Sequence, residues 1–466
     1  MAAIITEQFR RNSAKLLLAD IANVANNYYV GLGKSDSWVD DEQLTNWVVP
    51  TADGTNGEAE EIKSNLITLI KAETVNSRLV IPRVNYRAGT RYKAYTPYDE
   101  NCFYPETING VSYLPCYVVV VSGGDIAIYL CLRAPNNEST FAPSDTTSYA
   151  PRSYGADGYI WSRVDTFTST STTIDTDQYI SITSGSASEG QATAIQSQSG
   201  GILYGFTVAD GGSGYPVGSF DVTFTPYTAT GSLTPITCSA LTTEGVITSL
   251  TLPSSYDIAA TSNTGIINGI FEFINANGSG AKILPHITPS LGLAHTPSDV
   301  LPSWFIGIAA KAVDNISEDG FYIPYRQVSI LRNINHNQGI GNPATLGALK
   351  YFKLTNARPD LVNVETGTHI TISGSQTKVI YDSYAAAVVD GGTEYRVYYH
   401  QNSSSGYGLV PSSGAITIGT NTGLPYFDTS NNEYVPGTGE LVFVENRKPI
   451  VRAQSQTEEI KIIIQL

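Results

Sequence analysis

Histidines and clustered carboxylates are the side chains in this sequence best suited to bind a metal ion or to transfer protons. The histidines are His286, His295, His336, His369 and His400. They are scattered, without the i, i+4 spacing of a metal-binding helix or the short spacing of a general base and its orienting partner. Asp314, Glu318 and Asp319 are close in sequence but lack the further ligands of a calcium loop. We therefore expect structural histidines, a solvated acidic loop, no metal, no cofactor and no catalytic site.

Two glycine-rich segments resemble functional loops only superficially. Residues 210–215 (DGGSGY) lack the lysine and the following helix that a phosphate-binding loop requires, so they predict a turn between strands. Residues 278–280 (GSG) do not form the Gly-x-Ser-x-Gly pattern of a nucleophile elbow. A glycan-cleaving enzyme would need two carboxylates about 5–10 Å apart across a cleft, and no hydrolase-like motif supports one. The sequence therefore predicts a protein that is not an enzyme.

The cysteines are Cys102, Cys116, Cys131 and Cys238. Their spacings match no zinc pattern, and a chain of this length does not need disulfide bonds to stabilise a small core. We expect four buried, reduced thiols.

Composition indicates a globular, mainly β protein. Of 466 residues, 41% are hydrophobic and only 15% are charged, and glycine, serine, threonine, tyrosine and valine are abundant. The net charge of -15 disfavours nucleic acid as a partner, because phosphate binding requires clustered Lys and Arg. No signal-like segment and no apolar run of about 18 residues occurs, so we expect no secretion, no membrane insertion and folding in the cytoplasm.

Helical periodicity is confined to the first part of the chain. After Thr6, a candidate N-cap, the residues Leu17, Ile21, Val24 and Tyr28 predict a helix that extends to Gly31. Ile62, Leu66 and Leu69 predict a second helix. The predicted fold class is therefore mainly β (α+β with two short helical regions near the N-terminus), with a β-sandwich core and inserted small β modules.

Alternating or buried apolar runs predict strands after the second helix. Residues 117–121 and 126–130 predict a hairpin with a glycine turn. Residues 304–310 and 325–331 predict a pair of strands that return to the main body. Ile460, Ile462, Ile464 and Leu466 predict one face of a C-terminal strand.

Two regions are interpreted as insertions. Within residues 184–285, the segment 201–208 recurs as 245–252, and 220–224 recurs as 269–273, which indicates a duplicated β module whose copies cover each other. Residues 340–436 contain strand-like segments between Gly, Ser and Asn turns and are interpreted as a second inserted β region.

The most distinctive candidate interaction surface combines tyrosines with arginines. Its residues are Arg83, Tyr86, Arg87, Arg91, Tyr92, Tyr95 and Tyr98. Tyrosine buries a large area and retains a hydrogen-bonding hydroxyl, which suits a subunit interface, although it is also an ordinary strand residue that could pack internally. In a chain this acidic, a local group of arginines indicates contact with an acidic partner.

Several dispersed segments resemble one family. They are residues 9–10 (FR), 31–38 (GLGKSDSW), 80–83 (VIPR) with Tyr86, 90–92 (TRY), 129–132 (YLCL), 157–161 (DGYIW), 325–330 (YRQVSI), 445–447 (ENR), 449–450 (PI) and 456–460 (QTEEI). In this order they resemble the baseplate wedge subunit of T-even type contractile-tailed phages, the product of their gene eight.

The resemblance implies a structural role in a virion tail. It covers about 1–183, 300–335 and 437–466, which we expect to form a β-sandwich core with helical loops, while 184–285 and 340–436 depart from the shorter family pattern. It also implies a homodimer in the tail baseplate that binds other wedge proteins. The alternative is a receptor- or glycan-binding tail protein that acts through residues 184–285, with Tyr204, Tyr215 or Tyr227 as an exposed aromatic platform.

Overall fold

The computed structural model describes most of the chain. The described residues are 5–23, 25–35, 37–38, 49–72, 76–108, 110–144, 150–168, 174–183, 200–258, 263–274, 277–289, 297–312, 325–337, 344–389, 392–401, 405, 408–430, 433–450 and 458–466. His295 and the acidic group at 314–319 lie outside them.

The protein is mainly β with few helices, as predicted. Its helices are α1 (Glu7–Ala22), α2 (Asn56–Ser64) and α3 (Pro297–Val300), with 3-10 turns at Glu100–Phe103 and Pro359–Asn363. Its strands are β1 (Tyr28–Gly33), β2 (Leu66–Lys71), β3 (Ser77–Pro82), β4 (Arg91–Tyr92), β5 (Glu106–Ile108), β6 (Val111–Leu114), β7 (Tyr117–Ser122), β8 (Asp125–Arg133), β9 (Ile160–Thr168), β10 (Tyr179–Ser181), β11 (Leu203–Ser213), β12 (Gly218–Thr228), β13 (Gly231–Ser232), β14 (Ile236–Thr243), β15 (Val246–Thr251), β16 (Ile266–Phe273), β17 (Ser279–Ile287), β18 (Phe305–Ala312), β19 (Tyr325–Arg332), β20 (Thr345–Gly347), β21 (Lys350–Leu354), β22 (His369–Ile372), β23 (Lys378–Val389), β24 (Gly392–His400), β25 (Gly414–Ile418), β26 (Asn421–Ser430), β27 (Glu440–Ile450) and β28 (Glu458–Gln465).

The first predicted helix exists but is shorter than expected. Thr6 caps it, because its Oγ1 accepts a hydrogen bond from the Phe9 N–H at 3.2 Å. The helix ends at Ala22, where the side chain of Asn23 accepts a hydrogen bond from the Ala25 N–H and so competes with the helical pattern. The extension to Tyr28 and Gly31 was wrong, since both residues lie in the fully buried strand β1.

The second predicted helix is also too long. Helix α2 ends at Ser64, and Leu66 and Leu69 belong to strand β2. This strand is buried along almost its whole length, so its apolar residues do not alternate with polar ones, and a short run of this kind cannot be distinguished from a helix by periodicity.

The chain divides into two compact units, and the first comprises Met1–Leu17, Arg78–Gly307 and Ile463–Leu466. Two of its sheets have the strand orders β7-β8-β9 and β4-β6-β5. A further sheet has the order β10-β3-β18-β28, of which the first unit contains β10 and parts of β3, β18 and β28. The predicted hairpin is confirmed: β7 and β8 pair from Tyr117↔Leu130 to Ser122↔Asp125. The predicted C-terminal strand is confirmed as β28.

Two further sheets of the first unit, which we call the sheet pair, comprise residues 203–287. One sheet is β11-β17, and the other has the order β13-β12-β14-β15 with β16 beside β12. They share one apolar core, in which Phe206 of β11 packs on Phe224 and Phe271 at ring distances of 5.3 and 5.5 Å. The suggested repeats 220–224 and 269–273 pair directly, with Phe224 opposite Phe271, whereas β11 pairs with β17 and β15 pairs with β14. The duplication stays a prediction.

The second unit comprises Leu18–Ser77 and Ile308–Ile462. Its open sheet has the order β20-β2-β1-β19-β27, and its other sheet is a closed antiparallel barrel of order β21-β24-β23-β22-β25-β26. The barrel encloses its own core, which includes Phe352, Tyr399 and Tyr426. The strands predicted at 304–310 and 325–331 exist as β18 and β19, but they lie in different sheets. The boundaries 184–285 and 340–436, and the sandwich core, stay predictions.

Candidate interaction surface

The predicted tyrosine and arginine group begins just after strand β3 and includes the short strand β4. Strand β4 pairs in parallel with β6, so that Arg91 lies opposite Tyr113 and Tyr92 lies opposite Leu114. The structure brings part of the group together and separates the rest.

Tyr92 is the buried centre of an aromatic cluster. Its ring contacts Trp161 at 5.3 Å and Tyr159 at 6.4 Å, both edge to face, and stacks on Tyr86 at 5.7 Å. Its hydroxyl donates to the Arg87 carbonyl at 3.0 Å and accepts from the Arg87 N–H at 2.7 Å. Tyr92 is 0% exposed, so this ring packs internally and is not available to a partner. Burial raises its pKa and keeps the hydroxyl protonated at neutral pH.

Tyr86 covers this cluster. Its ring is half-buried and lies 6.4 Å from Trp161, edge to face. Its hydroxyl and the Ser139 Oγ are 3.1 Å apart, and burial raises its pKa. The contacts of Tyr86 are therefore with the buried aromatic cluster and Ser139.

Asp157 holds the loop next to this cluster, and composition alone gave no reason to single it out. One of its oxygens accepts hydrogen bonds from the Thr140 N–H at 2.9 Å and the Phe141 N–H at 3.2 Å. Its other oxygen accepts from the Tyr159 N–H at 3.2 Å. Asp157, Tyr159 and Trp161 belong to the DGYIW segment that contributes to the resemblance. That segment was the sequence signal by which Asp157 could have been identified.

The arginines form the accessible part of the group. Arg87 is exposed and Arg91 is half-buried. Within the part of the chain that the structure describes, neither guanidinium takes part in an ion pair or a side-chain hydrogen bond. Arg83 differs, because its guanidinium donates to Asn85 at 3.0 Å and to the Thr176 carbonyl at 3.4 Å.

The rings of Tyr95 and Tyr98 make their contacts outside the aromatic cluster. Tyr95 packs on Phe103 at 6.3 Å, and burial raises its pKa. Tyr98 is 40% exposed, and its hydroxyl donates to the Ile267 carbonyl of β16. The part of the group that remains accessible is thus defined by Arg87 and Arg91, and we call it the arginine surface. Its role as an interface stays a prediction.

The proposed aromatic platform for glycans is largely internal. Tyr204 and Tyr215 are each 5% exposed, and Tyr215 stacks on Phe220 at 5.8 Å. Tyr227 alone of the three is exposed. Residues 210–213 continue strand β11, with Asp210 opposite Lys282, so the predicted turn there was wrong.

The described residues contain no group of three or more His, Cys, Asp or Glu side chains that could hold a metal ion. None of the helices in the same residues is long and apolar enough to cross a membrane. The four cysteines are buried and free, as expected.

No protein family model matches the chain, and no curated protein matches it.

Proposed function

We propose that the chain is a structural subunit of a phage tail baseplate wedge, which dimerises and binds neighbouring wedge proteins during tail assembly and baseplate rearrangement. The proposal rests on the resemblance of the dispersed segments. It assigns the chain no chemistry and no cofactor, and it locates the protein in the virion.

One observation carries the proposal: segments of the resemblance that are far apart in sequence are neighbours in the second unit. Strand β19, from the YRQVSI segment, lies between β1 and β27, with Gly31 opposite Ser329 and Val328 opposite Glu445. Three segments of the resemblance therefore contribute to one sheet, which supports the proposal that they are parts of a common core.

Side-chain contacts join the same segments. The Gln327 amide donates to Asn446 Oδ1 at 2.9 Å, and the Trp38 indole N–H donates to the Arg447 carbonyl at 2.9 Å. A Cβ on Gly31 would lie 2.7 Å from the Ser329 Oγ, so a larger residue there would force the Ser329 side chain to move. These residues support one another, as expected if they are parts of a single core. Asp36 and residues 451–457, which belong to the same segments or adjoin them, lie outside the described residues.

Coexpression tests the proposal directly. The tagged full-length chain is coexpressed with candidate wedge proteins encoded in the same phage genome, and the purified products are analysed by light scattering. We expect a dimer of this chain alone and a larger complex of fixed stoichiometry with at least one candidate. A chain that stays separate from every candidate, and that instead binds glycans on an array, would favour the receptor-binding alternative.

Charge reversal tests the arginine surface within this function. The double variant R87E/R91E should fold normally but bind its wedge partner at least about tenfold more weakly, because each side chain would repel an acidic partner. Binding is measured by calorimetry at low and physiological salt, and the wild-type affinity should fall as salt increases.

The matched control is K282E/K378E, which makes the same change in net charge at two exposed lysines elsewhere. This variant should bind like the wild type. Equal binding by R87E/R91E and the wild type would remove the arginine surface from the proposal without affecting the assignment to the wedge.

A further inference from the structure

Helix α1 exposes one face that includes two large apolar side chains. Phe9 is 62% exposed and Leu16 is 71% exposed. Asn12 and Ala19 lie on the same face and are exposed too. The four positions are separated by three, four and three residues, which is the spacing of the contact face of a two-stranded coiled coil. We call Phe9, Asn12, Leu16 and Ala19 the α1 seam.

The opposite side of α1 is held by its own chain. Ala14 on that side is 0% exposed. The Arg11 Nε donates to the Leu301 carbonyl at 3.1 Å, and the Arg11 guanidinium lies 5.6 Å from the ring centres of both Phe103 and Trp304. The helix is therefore already formed and fixed in place, so a partner that docks on the α1 seam does not have to order it.

The charges beside the α1 seam are complementary to those of a second copy of the same helix. Lys15 and Asp20 flank the seam on opposite sides, five residues apart. In a parallel pair of helices, flanking positions with this separation lie next to each other across the interface. Lys15 of each copy would therefore meet Asp20 of the other, which gives two ion pairs about one two-fold axis. Both side chains also pair within the chain, with Asp299 and Arg332, yet they remain 35% and 32% exposed.

Asn12 favours the same arrangement. Its carboxamide both donates and accepts hydrogen bonds, so two Asn12 side chains that face each other satisfy one another. Parallel helices in register bring identical residues together in this way. Antiparallel helices would place Asn12 against Phe9 or Leu16, and its polar atoms would be buried without partners.

We infer that the α1 seam docks on the α1 seam of a second copy of the chain, with the two helices parallel and in register. The contact buries Phe9 and Leu16 against their counterparts, and the ion pairs between Lys15 and Asp20 close its two sides. The inference rests on the dimer of the proposed function and deepens it, because it names the surface that forms that dimer.

Self-association of the full-length chain, measured by sedimentation equilibrium over a range of concentrations, tests the surface. The double variant F9E/L16E should self-associate at least about tenfold more weakly than the wild type, because two large apolar side chains are lost and like charges face each other. The matched control is V217E/V362E, which introduces the same charges at two valines that are 80% and 65% exposed. It should sediment like the wild type. Circular dichroism should show both variants to be folded, since all four positions are exposed.

Cysteine crosslinking tests the orientation of the two helices. The single variants N12C and A19C should each give a covalent dimer with a short bismaleimide, because identical residues face each other, while the four native cysteines are buried. The control T230C, in an exposed turn of the sheet pair, should give none. In an antiparallel pair centred on Asn12 the two copies of residue 19 would be about 20 Å apart, so a link in N12C but not in A19C would overturn the parallel register.

Failure of the inference and failure of the proposed function give different results. A wild-type dimer that F9E/L16E leaves intact would overturn the inference, while the dimer of the proposed function stands. A monomeric wild-type chain would overturn both the inference and that dimer. Loss of binding to a wedge protein in a monomeric F9E/L16E chain would then assign the α1 seam to that protein. Coexpression with candidate wedge proteins decides the assignment to the wedge separately.

Discussion

Replacing Phe224 with alanine should lower the free energy of unfolding of the sheet pair by about 3–5 kcal/mol. Phe224 is 0% exposed and contacts Phe206 at 5.3 Å and Phe271 at 4.8 Å. Its removal leaves a cavity between the two sheets, because the surrounding strands can collapse only in part. Hydrogen exchange of the amides in β12 and β16 measures the local free energy of opening in the full-length chain.

Gly269 provides a sharper test of the same contact. A Cβ on Gly269 would lie 2.1 Å from Cζ of the Phe224 ring, so G269A should cost about 1–3 kcal/mol or more. In the F224A background the ring is absent, and the added methyl group should then cost little or partly fill the cavity. The coupling between the two substitutions should therefore be large and favourable.

The control for this cycle is G57A in helix α2. A Cβ at Gly57 would meet only the Thr55 Oγ1, at 3.8 Å, so the substitution should be neutral or slightly stabilising. Additive effects of F224A and G269A would show that the glycine is not required by the Phe224 ring.

Acid should destabilise the sheet pair through His286. This residue is 2% exposed, its Nε2 is 2.6 Å from the Thr207 Oγ1, and its Nδ1 has no hydrogen-bond partner among the described residues. Burial, assisted by the nearby Arg133, lowers the pKa of His286 to about 3. The folded protein therefore holds this imidazole in its neutral form.

The direction of the pH effect follows from the two protonation states. The unfolded chain takes up a proton near the ordinary histidine pKa of about 6.5, whereas the folded chain takes it up only near pH 3. Below about pH 6.5 the unfolded state binds more protons, so stability should fall by about 1.4 kcal/mol per pH unit until the pH approaches 3. Above that range this contribution is fully present.

The measurement is the urea-induced unfolding of the sheet pair at about pH 7.5, 6, 5 and 4.5. H286Q retains a polar group near the Thr207 hydroxyl but cannot titrate, so its stability should depend less steeply on pH than that of the wild type. The control H369Q removes an exposed imidazole from the barrel and should leave the slope unchanged. Parallel curves for H286Q and the wild type would show that other groups produce the acid sensitivity.

Local sequence signals predicted several elements correctly. The residues around Gly123 and Gly124 predicted the β7–β8 hairpin, because a glycine pair between two apolar runs permits the tight turn that both require. Alternation at Ile460 and Ile462 predicted β28, since one face of that strand is buried. Thr6 predicted the start of α1, because capping depends only on neighbouring residues.

Hydrophobic periodicity failed to identify the strands that are buried on both faces, because such strands lack the alternation of apolar and polar residues. Tyr28 and Leu66 fitted helical spacing, yet each lies in a strand whose two neighbours in the sheet are distant in sequence. Pairing with those neighbours satisfies the backbone groups and outweighs local helix propensity. The same limitation applies to residues 210–213, which belong to β11 because they pair with β17.

The sequence by itself determined the mainly β fold class, because composition and turn residues restrict the chain locally. It also identified the tyrosine and arginine residues as a group, but only the tertiary structure decided that Tyr92 is internal and Arg87 accessible. The backbone hydrogen bond between Cys102 and Cys116, the collision of a Cβ at Gly269 with Phe224, and the burial of His286 were likewise decided by tertiary structure. Each depends on which distant segments become neighbours, and that follows from strand pairing and core packing over the whole chain.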